Sequence, residues 1–253
     1  MHLHFIESGP ALLVENTRRV LVVADLHMGI ESGLARHGVH VGSRSASRAE
    51  RVLSCIGETD PDILLLLGDV KHNVPVTSRQ EYAELPGTFS RLRKAVPLLV
   101  APGNHDGGID RFLREGELLP PAGAVVDGVG YLHGHTYPDP DLLGRLVVLG
   151  HHHPVVSLRD EVGCAARAQP AYLYASLDEE CLLGKRRPET NEPTRLLFAP
   201  AFNEFCGGID VLRIKNDGLG PLSRCMNDTT AEVFLADGTY LGTPTTLRPA
   251  DGD

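Results

Sequence analysis

The stretch DILLLLGD, residues 62–69, decides how this chain folds, because an unbroken apolar run leads directly into a glycine and an acid. Such a run is typical of a strand that is buried on both faces. The pattern of a short apolar run ended by Gly, Asp or His also occurs in RRVLVVAD (18–25), VPLLVAPGNHD (96–106), GVGYLHGH (128–135) and GRLVVLGHHH (144–153). We therefore predict buried strands that carry polar side chains at their ends.

Helical patterns lie between and after the first three of these strands. We predict helices over 43–58, 78–95 and 108–116. Ser43 or Ser45 is the expected N-cap of the first helix. The second should break near Pro86, which cannot donate a backbone hydrogen bond, and the third should end at Gly116. This alternation of strands and helices favours an α/β architecture.

The second half of the chain is richer in strands than in helices. We predict strands over 124–132, 145–149, 154–158, 171–177, 195–199 and 208–214. A hairpin is expected at 232–242, where Asp237-Gly238 is a strong turn sequence, and 178–194 is the least regular segment. Because no repeat or long linker is visible, we expect one domain over 1–253. Its core would span 20–214, with a C-terminal extension at 215–253 whose packing the sequence does not specify.

The composition excludes a membrane-spanning protein. Of 253 residues, 42% are hydrophobic and 23% are charged, which is ordinary for a globular domain. The longest apolar run, 63–67, is far shorter than the roughly 20 residues of a membrane-spanning helix. The N-terminus MHLHFIESGP has neither the basic start nor the apolar stretch of a secretory signal. We expect a cytoplasmic protein with no membrane contact.

The charge and the cysteines also limit the function. A net charge of −9 is unusual for a protein that grips long nucleic acid, which normally requires a basic face. We interpret the basic cluster at 185–187 as a solvated loop. An anionic substrate stays compatible with this charge, because bound cations can dominate the local field. The cysteines are odd in number and form no C-x-x-C pair, so we expect them to be reduced and mostly buried: Cys55, Cys164, Cys181, Cys206 and Cys225.

Polar side chains collect at the ends of the predicted strands. They are Asp25, His27, Asp69, Asn104, His105, Asp106, His133, His151 and His153. Strand ends in an open α/β sheet converge on one crevice, which is the usual ligand site of such folds. Two carboxylates, one amide oxygen and four imidazoles in this set match the ligands of two borderline divalent cations. A Mg²⁺ or Ca²⁺ cage would instead consist of oxygen ligands alone.

These residues form the ordered patterns D-x-H, G-D, G-N-H-D, H-G and G-H-x-H over residues 20–153. In that order they resemble the calcineurin-like metallophosphoesterase superfamily. Longer stretches resemble the archaeal-type phosphoesterases related to the SbcD-type repair nucleases: 24–45, 68–81, 103–109, 150–160 and APAFNEFCGGID at 199–210. The likeness to the full-length repair nucleases covers their catalytic domain and not their C-terminal capping domain. It implies a four-layer α/β/β/α sandwich of two mixed sheets.

The resemblance also implies roles for the individual residues. The first metal would take Asp25, His27 and His153, the second would take Asn104, His133 and His151, and Asp69 would bridge the two. His105 would protonate the leaving oxygen, with Asp106 orienting its imidazole. Supporting contacts around the ligands are expected from His72, His135 and Asn203. His152 would be a spacer that faces solvent or a neighbouring side chain.

By the same resemblance, the protein would be a dinuclear-metal phosphodiesterase or nuclease that uses a hydroxide bridging two metal ions. Manganese is the expected metal, with Fe, Zn, Co or Ni as alternatives. The expected substrate is a phosphoester of nucleic acid or nucleotides. The expected biological role is DNA repair, with a protein partner that the sequence does not identify. A phosphomonoesterase or cyclic-nucleotide phosphodiesterase would share every one of these residues. A non-catalytic metal-binding scaffold for a repair complex would have lost ligands or the catalytic histidine, and both are present here.

Overall fold

Two β-sheets form the centre of the computed structural model, which describes residues 1–159, 165–184 and 192–247. The first sheet has the strand order β1-β2-β3-β4-β5. These strands are His2–Phe5, Ala11–Glu15, Arg19–Ala24, Ile63–Leu67 and Leu98–Ala101. β2 is antiparallel to both of its neighbours, β1 and β3, whereas β3, β4 and β5 are parallel. The carboxyl ends of β3, β4 and β5 therefore meet at one edge of this mixed sheet.

The second sheet is also mixed. Within the described residues its order is β12-β9-β10-β11-β8-β7-β6, and β13 pairs with both β10 and β14. The strands are β6 Ala124–Val126, β7 Val129–Leu132, β8 Leu146–Leu149, β9 Pro154–Arg159, β10 Ala165–Leu177, β11 Arg195–Phe198, β12 Ile209–Asp210, β13 Met226–Leu235 and β14 Tyr240–Gly242. Since β7, β8 and β11 are parallel, their carboxyl ends also share an edge.

Helices cover the outer faces of the two sheets. They are α1 Ile30–Arg36, α2 Ser45–Thr59, α3 Arg79–Ala95, α4 Glu179–Leu183, α5 Ile214–Asp217 and α6 Pro221–Arg224, with 3₁₀ helices at Ile109–Phe112 and Pro140–Leu142. The long helices α2 and α3 pack on the first sheet, and the short α5 and α6 pack on the second. No helix among the described residues is long and apolar enough to cross a membrane.

The continuous apolar runs arise because each central strand is buried on both faces. On β3, Val20 and Val22 face the second sheet, where they join a cluster with Tyr131 and Val148. The alternate residue Leu21 faces the opposite way, into a cluster that contains side chains of α2 and α3. A third cluster lies between the second sheet and its short helices. Three apolar layers separate four layers of secondary structure, which confirms the predicted α/β/β/α sandwich.

The predicted break at Pro86 is wrong, because α3 runs through it from Arg79 to Ala95. A proline inside a helix removes one backbone hydrogen bond but leaves the other turns free to form. Leu85, Phe89 and Leu92 stay fully buried on one face of the helix. Burial of this apolar stripe outweighs the lost hydrogen bond. The capping prediction for α2 also differs, since Arg44 is the N-cap residue and its side chain makes no capping hydrogen bond.

Several strand predictions were close but not complete. The hairpin at 232–242 is confirmed by the pairing of β13 with β14. The strand predicted over 124–132 is a hairpin of β6 and β7, and only Ile209–Asp210 of 208–214 is a strand. The N-terminal hairpin of β1 and β2 was not predicted. Residues 178–194 include α4, while the basic cluster at 185–187 and the last residues, 248–253, lie outside the described residues.

The expectation that all cysteines are reduced is wrong for one pair. Cys181 and Cys225 form a disulfide, with their Cα atoms 5.5 Å apart. It joins the region of α4 to the end of α6, across 44 residues of sequence. Spacing alone could not reveal it, because the two cysteines meet only after the second sheet has formed. Cys55 is buried and free, Cys206 is half-buried and free, and Cys164 lies outside the described residues.

The continuity of α3 leads to a first prediction. Pro86 is exposed, so Pro86→Ala restores a helical hydrogen bond without changing the core and should raise the free energy of unfolding by about 1–3 kcal/mol. Gly87→Ala, at the next exposed position, should also stabilise the helix, by about 1 kcal/mol. Urea unfolding followed by circular dichroism measures both. A Pro86→Ala protein that is no more stable than the wild type would show that the helix does break there.

Candidate metal centre

The predicted ligands meet where the carboxyl ends of the parallel strands of both sheets converge. Asp25 follows β3, Asp69 follows β4 and Asn104 follows β5 by a short loop, while His133 follows β7 and His151 follows β8. A cleft of about 290 Å³ opens above them. The structure thus brings together residues that are up to 128 positions apart in the sequence, His153 and Asp25 being the most distant.

Asp25 joins the two sheets at the floor of the site. Its side chain is fully buried, and its Oδ2 accepts a hydrogen bond from the backbone N–H of His151 at 3.1 Å. Its Oδ1 lies 3.1 Å from Nε2 of His153. One carboxylate therefore fixes the end of β3 against the histidine loop of the second sheet. This distance is within the range that two ligands of a single ion can span.

Asp69 occupies the centre of the cluster. Its Oδ1 accepts a hydrogen bond from the backbone N–H of His105 at 2.8 Å and lies 3.4 Å from Nε2 of His133. Its Oδ2 lies 3.6 Å from Nε2 of His27. The two oxygens thus face histidines on opposite sides. On the second side, Oδ1 of Asn104 is 3.2 Å from Nε2 of His133.

The charges of this cluster suit cation binding. Burial alone would raise the pKa of the Asp69 carboxyl, but the His133 imidazole outweighs burial and holds that pKa well below its usual range. Burial lowers the pKa of His27 to about 3 and that of His151 to about 3. These rings are neutral, as metal ligation requires. Burial alone would lower the pKa of His133, yet the carboxylates of Asp69 and Asp25 raise it to about 9.

One atom in the cluster has an unmet polar requirement. The Nδ1 atom of His153 lies 3.0 Å from the carbonyl oxygen of Gly207 and donates to it. Its Nε2 atom is buried and has no hydrogen-bond partner, although it points towards the Asp25 carboxylate. A buried polar atom without a partner is costly. A divalent ion between His153 and Asp25 would satisfy both groups, so the donors present fit a metal ion.

The prediction that Asp106 orients the ring of His105 is wrong. The Asp106 carboxylate accepts hydrogen bonds from the backbone N–H groups of Gly103, at 2.8 Å, and Lys71, at 3.1 Å. The Nδ1 atom of His105 instead contacts the carbonyl oxygen of His72. Burial, reinforced by the nearby Asp69, raises the pKa of Asp106 to about 6. Asp106 therefore holds the backbone of the loop that presents Asn104, while the His72 carbonyl positions the imidazole of His105.

The predicted supporting residues lie beside the ligands. Nδ1 of His72 is 3.3 Å from Nδ1 of His27, and the ring of His135 is 5.3 Å from that of His133. Asn203 donates hydrogen bonds to the carbonyl oxygens of Leu26 and His27, at 2.8 and 3.2 Å, and thus supports the backbone that carries a predicted ligand.

His152, the spacer of the histidine loop, is buried. Its ring lies edge-on to the ring of Phe198, 5.1 Å away, so it faces a neighbouring side chain and not solvent. Its Nδ1 atom contacts the carbonyl oxygen of Gly150, at 3.1 Å. The ring therefore packs into the second sheet, and its neighbours in the loop are left to face the cleft.

Backbone geometry is part of the site that the sequence analysis missed. Several of the predicted ligand residues have positive φ angles: Asp25, His27, Asp69, His151 and His153. Such conformations are strained for residues other than glycine and tend to occur at functional sites. Gly68 and Gly103 add close approaches, because a Cβ atom would lie 2.1 Å from Nδ1 of His133 at Gly68 and 2.1 Å from Oδ1 of Asp69 at Gly103. The glycines in G-D and G-N-H-D were the available indication.

The structure also adds Cys206 to the site. Its sulfur and one ring nitrogen each of His27 and His153 all lie within 4.8 Å of one another. Cys206 lines the same cleft as Phe205 and Gly207. Burial, with a contribution from the Asp25 carboxylate, raises the pKa of its thiol. The cysteine count gave no indication of this placement, because the residues of this cluster are far apart in the sequence.

The close approach at Gly68 leads to a second prediction. Gly68→Ala should destabilise the fold by more than about 3 kcal/mol, since a clash with His133 adds to the roughly 1–2 kcal/mol of left-handed backbone. Gly38 has a similar φ, +82° against +76°, but open space around it, so Gly38→Ala should lose only the backbone contribution. Urea unfolding and calorimetric Mn²⁺ titration measure the two variants. Equal stabilities and metal affinities would show that His133 does not depend on the absence of a side chain at Gly68.

Comparison with known proteins identifies the family of this chain. A solved structure with the same fold is that of the Pseudomonas putida nuclease MPE, 21% identical, with a TM-score of 0.53 over 91% of this chain and 90% of that one. The Escherichia coli phosphoesterase YfcE is 19% identical, with a TM-score of 0.36 over 56% of this chain and 73% of its own. The sequence model of the calcineurin-like phosphoesterases matches residues 18–176, which contain Asp25, Asp69 and His153. The chain belongs to this family of metal-dependent phosphoester hydrolases.

Proposed function

We propose that this protein is a phosphodiesterase with two divalent metal ions that hydrolyses phosphodiester bonds of nucleic acid or nucleotides. The observation that carries the two-metal assignment is a shared carboxylate. Donor atoms of Asp25, His27 and Asp69 lie within 4.8 Å of one another, and so do those of Asp69, His133 and His151. Two ligand groups that meet at one aspartate support a pair of ions bridged by Asp69.

The remaining ligands complete the two positions. We assign Asp25, His27 and His153 to the first ion, consistent with the 3.1 Å between His153 and Asp25. Asn104, His133 and His151 would hold the second, consistent with the 3.2 Å between Asn104 and His133. Two divalent ions and two carboxylates give a net charge of about +2, which suits an anionic phosphoester. When bound, such ions clamp the phosphoryl oxygens and activate the attacking water.

We assign the proton donor for the leaving oxygen to His105. The His72 carbonyl engages its Nδ1 atom, so Nε2 is the nitrogen available to substrate, and the ring lines the cleft. Nε2 is 3.9 Å from Oδ2 of Asp69, which places it beside the proposed bridging group. A positioned imidazole of this kind contributes roughly 10²–10⁴-fold to the rate. The side chain of His72 would hold the ring of the proposed ligand His27.

The lining of the cleft favours a diester over a monoester. No Lys or Arg side chain is among the described residues that line it. A phosphomonoester carries a charge of about −1.5 to −2 at neutral pH and would use the whole net charge of about +2 of the proposed centre, whereas a diester carries a single charge and has less need of a basic side chain. Ile30 and the partly exposed Phe205 add apolar surface. The similarity of the fold to that of the nuclease MPE also supports a nucleic-acid substrate. We further propose that the protein acts in DNA repair and in the cytoplasm.

An activity panel tests the substrate class. Metal-loaded protein is compared on bis-p-nitrophenyl phosphate, p-nitrophenyl phosphate, cyclic nucleotides, and single- and double-stranded DNA and RNA. We expect the diester and nucleic-acid reactions to be faster than the monoester reaction. Preference for p-nitrophenyl phosphate would indicate a phosphomonoesterase, and preference for cyclic nucleotides would indicate the cyclic-nucleotide alternative.

The mixed nitrogen and oxygen ligands lead to a third prediction, about the metal. Chelation should abolish activity, and Mn²⁺ should restore it best, with Co²⁺, Ni²⁺ or Fe²⁺ partly effective, because the assigned ligands are neither thiolates nor all oxygens. Elemental analysis of the active protein measures the bound ions. Activity in protein that contains no transition metal would contradict the proposed centre.

A fourth prediction separates a bridging ligand from a proton donor. Asp69→Asn should reduce metal occupancy and turnover together. His105→Ala should keep both ions while rates on a diester with a high-pKa leaving group fall by roughly 10²–10⁴. The loss should be smaller with p-nitrophenolate, which leaves without a proton. Metal content and both rates are measured beside His4→Ala, a control at an exposed histidine that pairs with Glu15.

The contrary outcomes for His105 are distinct. A His105→Ala protein that loses an ion would make His105 a metal ligand. Equal slowing of both leaving groups would make it a phosphate anchor and not an acid.

A fifth prediction concerns salt. The net charge of −9 and the absence of Lys and Arg from the described cleft lining mean that few phosphates are neutralised by protein side chains. For a single-stranded nucleic acid, the logarithm of the association constant changes by about −0.7 per unit of the logarithm of the salt concentration for each phosphate that the protein neutralises. We expect a slope of this salt dependence that is shallower than about −2. It is measured from the binding of a labelled single-stranded oligonucleotide to the Mn²⁺-loaded His105→Ala protein at several salt concentrations. A slope steeper than about −4 would reveal a basic contact surface beyond the cleft.

A further inference from the structure

We propose that Cys206 is an additional ligand of the first metal ion, and that its sulfur makes this position favour softer ions than the second position does. This inference rests on the proposed metal centre and names a selectivity within it. It is carried by the cluster of His27, His153 and Cys206, which lies on the cleft side of the first position.

The geometry permits one ion to contact all three side chains. An ion bonded to nitrogen at about 2.1 Å and to sulfur at about 2.3 Å holds such donors at most about 4.4 Å apart. At a tetrahedral angle the nitrogen and the sulfur are about 3.6 Å apart. The three donor atoms lie within 4.8 Å of one another, so a closing movement of about 1 Å or less brings them to one ion. Cys206 lines the cleft, whereas the carboxylate of Asp25 is fully buried.

The loop that carries Cys206 is tied to both neighbouring ligands. Asn203 donates to the carbonyl oxygen of His27, and its own side-chain oxygen accepts from the backbone N–H of Phe205 at 2.8 Å. On the other side, the Gly207 carbonyl holds Nδ1 of His153. The backbone N–H of Cys206 donates to the Asn203 carbonyl at 3.3 Å. The residues on both sides of the cysteine are thus fixed by contacts with the first-ion ligands.

The chemistry of sulfur gives the two positions different preferences. Thiolate ligands favour Zn²⁺ over Mn²⁺, which prefers oxygen and is lowest in the usual order of affinity. The first position would combine one or two carboxylates, two imidazoles and a sulfur, whereas the second would have carboxylate, amide and imidazoles only. A centre with Zn²⁺ or Fe²⁺ first and Mn²⁺ second follows at limiting metal, while excess Mn²⁺ can still fill both.

Cys55 provides the matched control. It is the other free cysteine of the described residues, but it is fully buried on α2 among apolar side chains. Both cysteines are reduced, and only one faces the cleft. Cys206→Ala removes the sulfur, Cys206→Ser keeps its size with a hard oxygen, and Cys55→Ala changes a thiol that should play no part.

Cobalt spectroscopy tests the proposal without reference to activity. Co²⁺ bound to a thiolate gives an intense charge-transfer band in the near ultraviolet, because sulfur is an easily oxidised donor, and its visible bands report coordination in general. We expect the ultraviolet band in the wild type and in Cys55→Ala, and its loss in both Cys206 variants while the visible bands remain. Zn²⁺ affinity, measured by chelator competition, should fall at least roughly tenfold in Cys206→Ala, and Mn²⁺ affinity should change by less than about threefold.

The failures can be told apart. An unchanged ultraviolet band in folded Cys206→Ala, or visible bands without the ultraviolet band in the wild type, would overturn the role of Cys206 and leave the metal centre intact. No Co²⁺ bands in the wild type would overturn both. Circular dichroism verifies folding, and if Cys206→Ala does not fold, the Cys206→Ser spectrum decides.

Discussion

Two carboxylates buried at the junction of the two sheets are the constraint on which the rest of the structure depends. Asp25 and Asp69 are 0% and 2% exposed, and their ion-pair partners among the described residues are all histidines. Removing a carboxylate from water is unfavourable by several kcal/mol unless a cation and hydrogen bonds compensate. Burial lowers the pKa of His27 to about 3, so that ring supplies a lone pair and no charge. Burial would also lower the pKa of His133, but Asp69 and Asp25 raise it to about 9. A divalent cation at this position would compensate the buried carboxylates, in agreement with the metal dependence of the family and the clustered His and Asp side chains.

The sheets supply the framework of the site, and the residues that follow the strands supply its side chains. Parallel strands bring their carboxyl ends to one edge, and three apolar layers hold those ends in place. The predicted ligands lie one to four residues beyond the strands, and five of the seven have left-handed backbone conformations. Such strain is stable only because the surrounding structure fixes it. The stabilising burial is thus concentrated in the sheets, whereas the strained backbone is concentrated at the predicted ligands.

The fold was predictable because its main determinant is local. Each apolar run marks a doubly buried strand, and the polar residue after it marks the end of the strand. What the sequence could not supply depends on contacts between distant segments. The Pro86 prediction failed because burial of Leu85 and Phe89 outweighs one lost hydrogen bond, and burial is not readable from helix propensity. The Cys181–Cys225 pair and the N-terminal hairpin similarly depend on neighbours that exist only after folding.

The candidate site shows the same division between residue type and residue position. The ligand residues could be chosen from the patterns at the strand ends, since metal chemistry restricts which side chains can serve. The residues that contact them could not be predicted in the same way, because the nearest residue in sequence need not be the nearest in space. Asp106 follows His105 directly, yet its carboxylate turns to the backbone of Gly103 and Lys71, and the His72 carbonyl, from the loop after β4, meets His105 instead. A carbonyl oxygen contributes no side-chain signature, so any sequence reading assigns its task to a nearby acid. A carbonyl oxygen can only accept a hydrogen bond, so this contact keeps a proton on Nδ1 of His105 and leaves Nε2 facing the cleft.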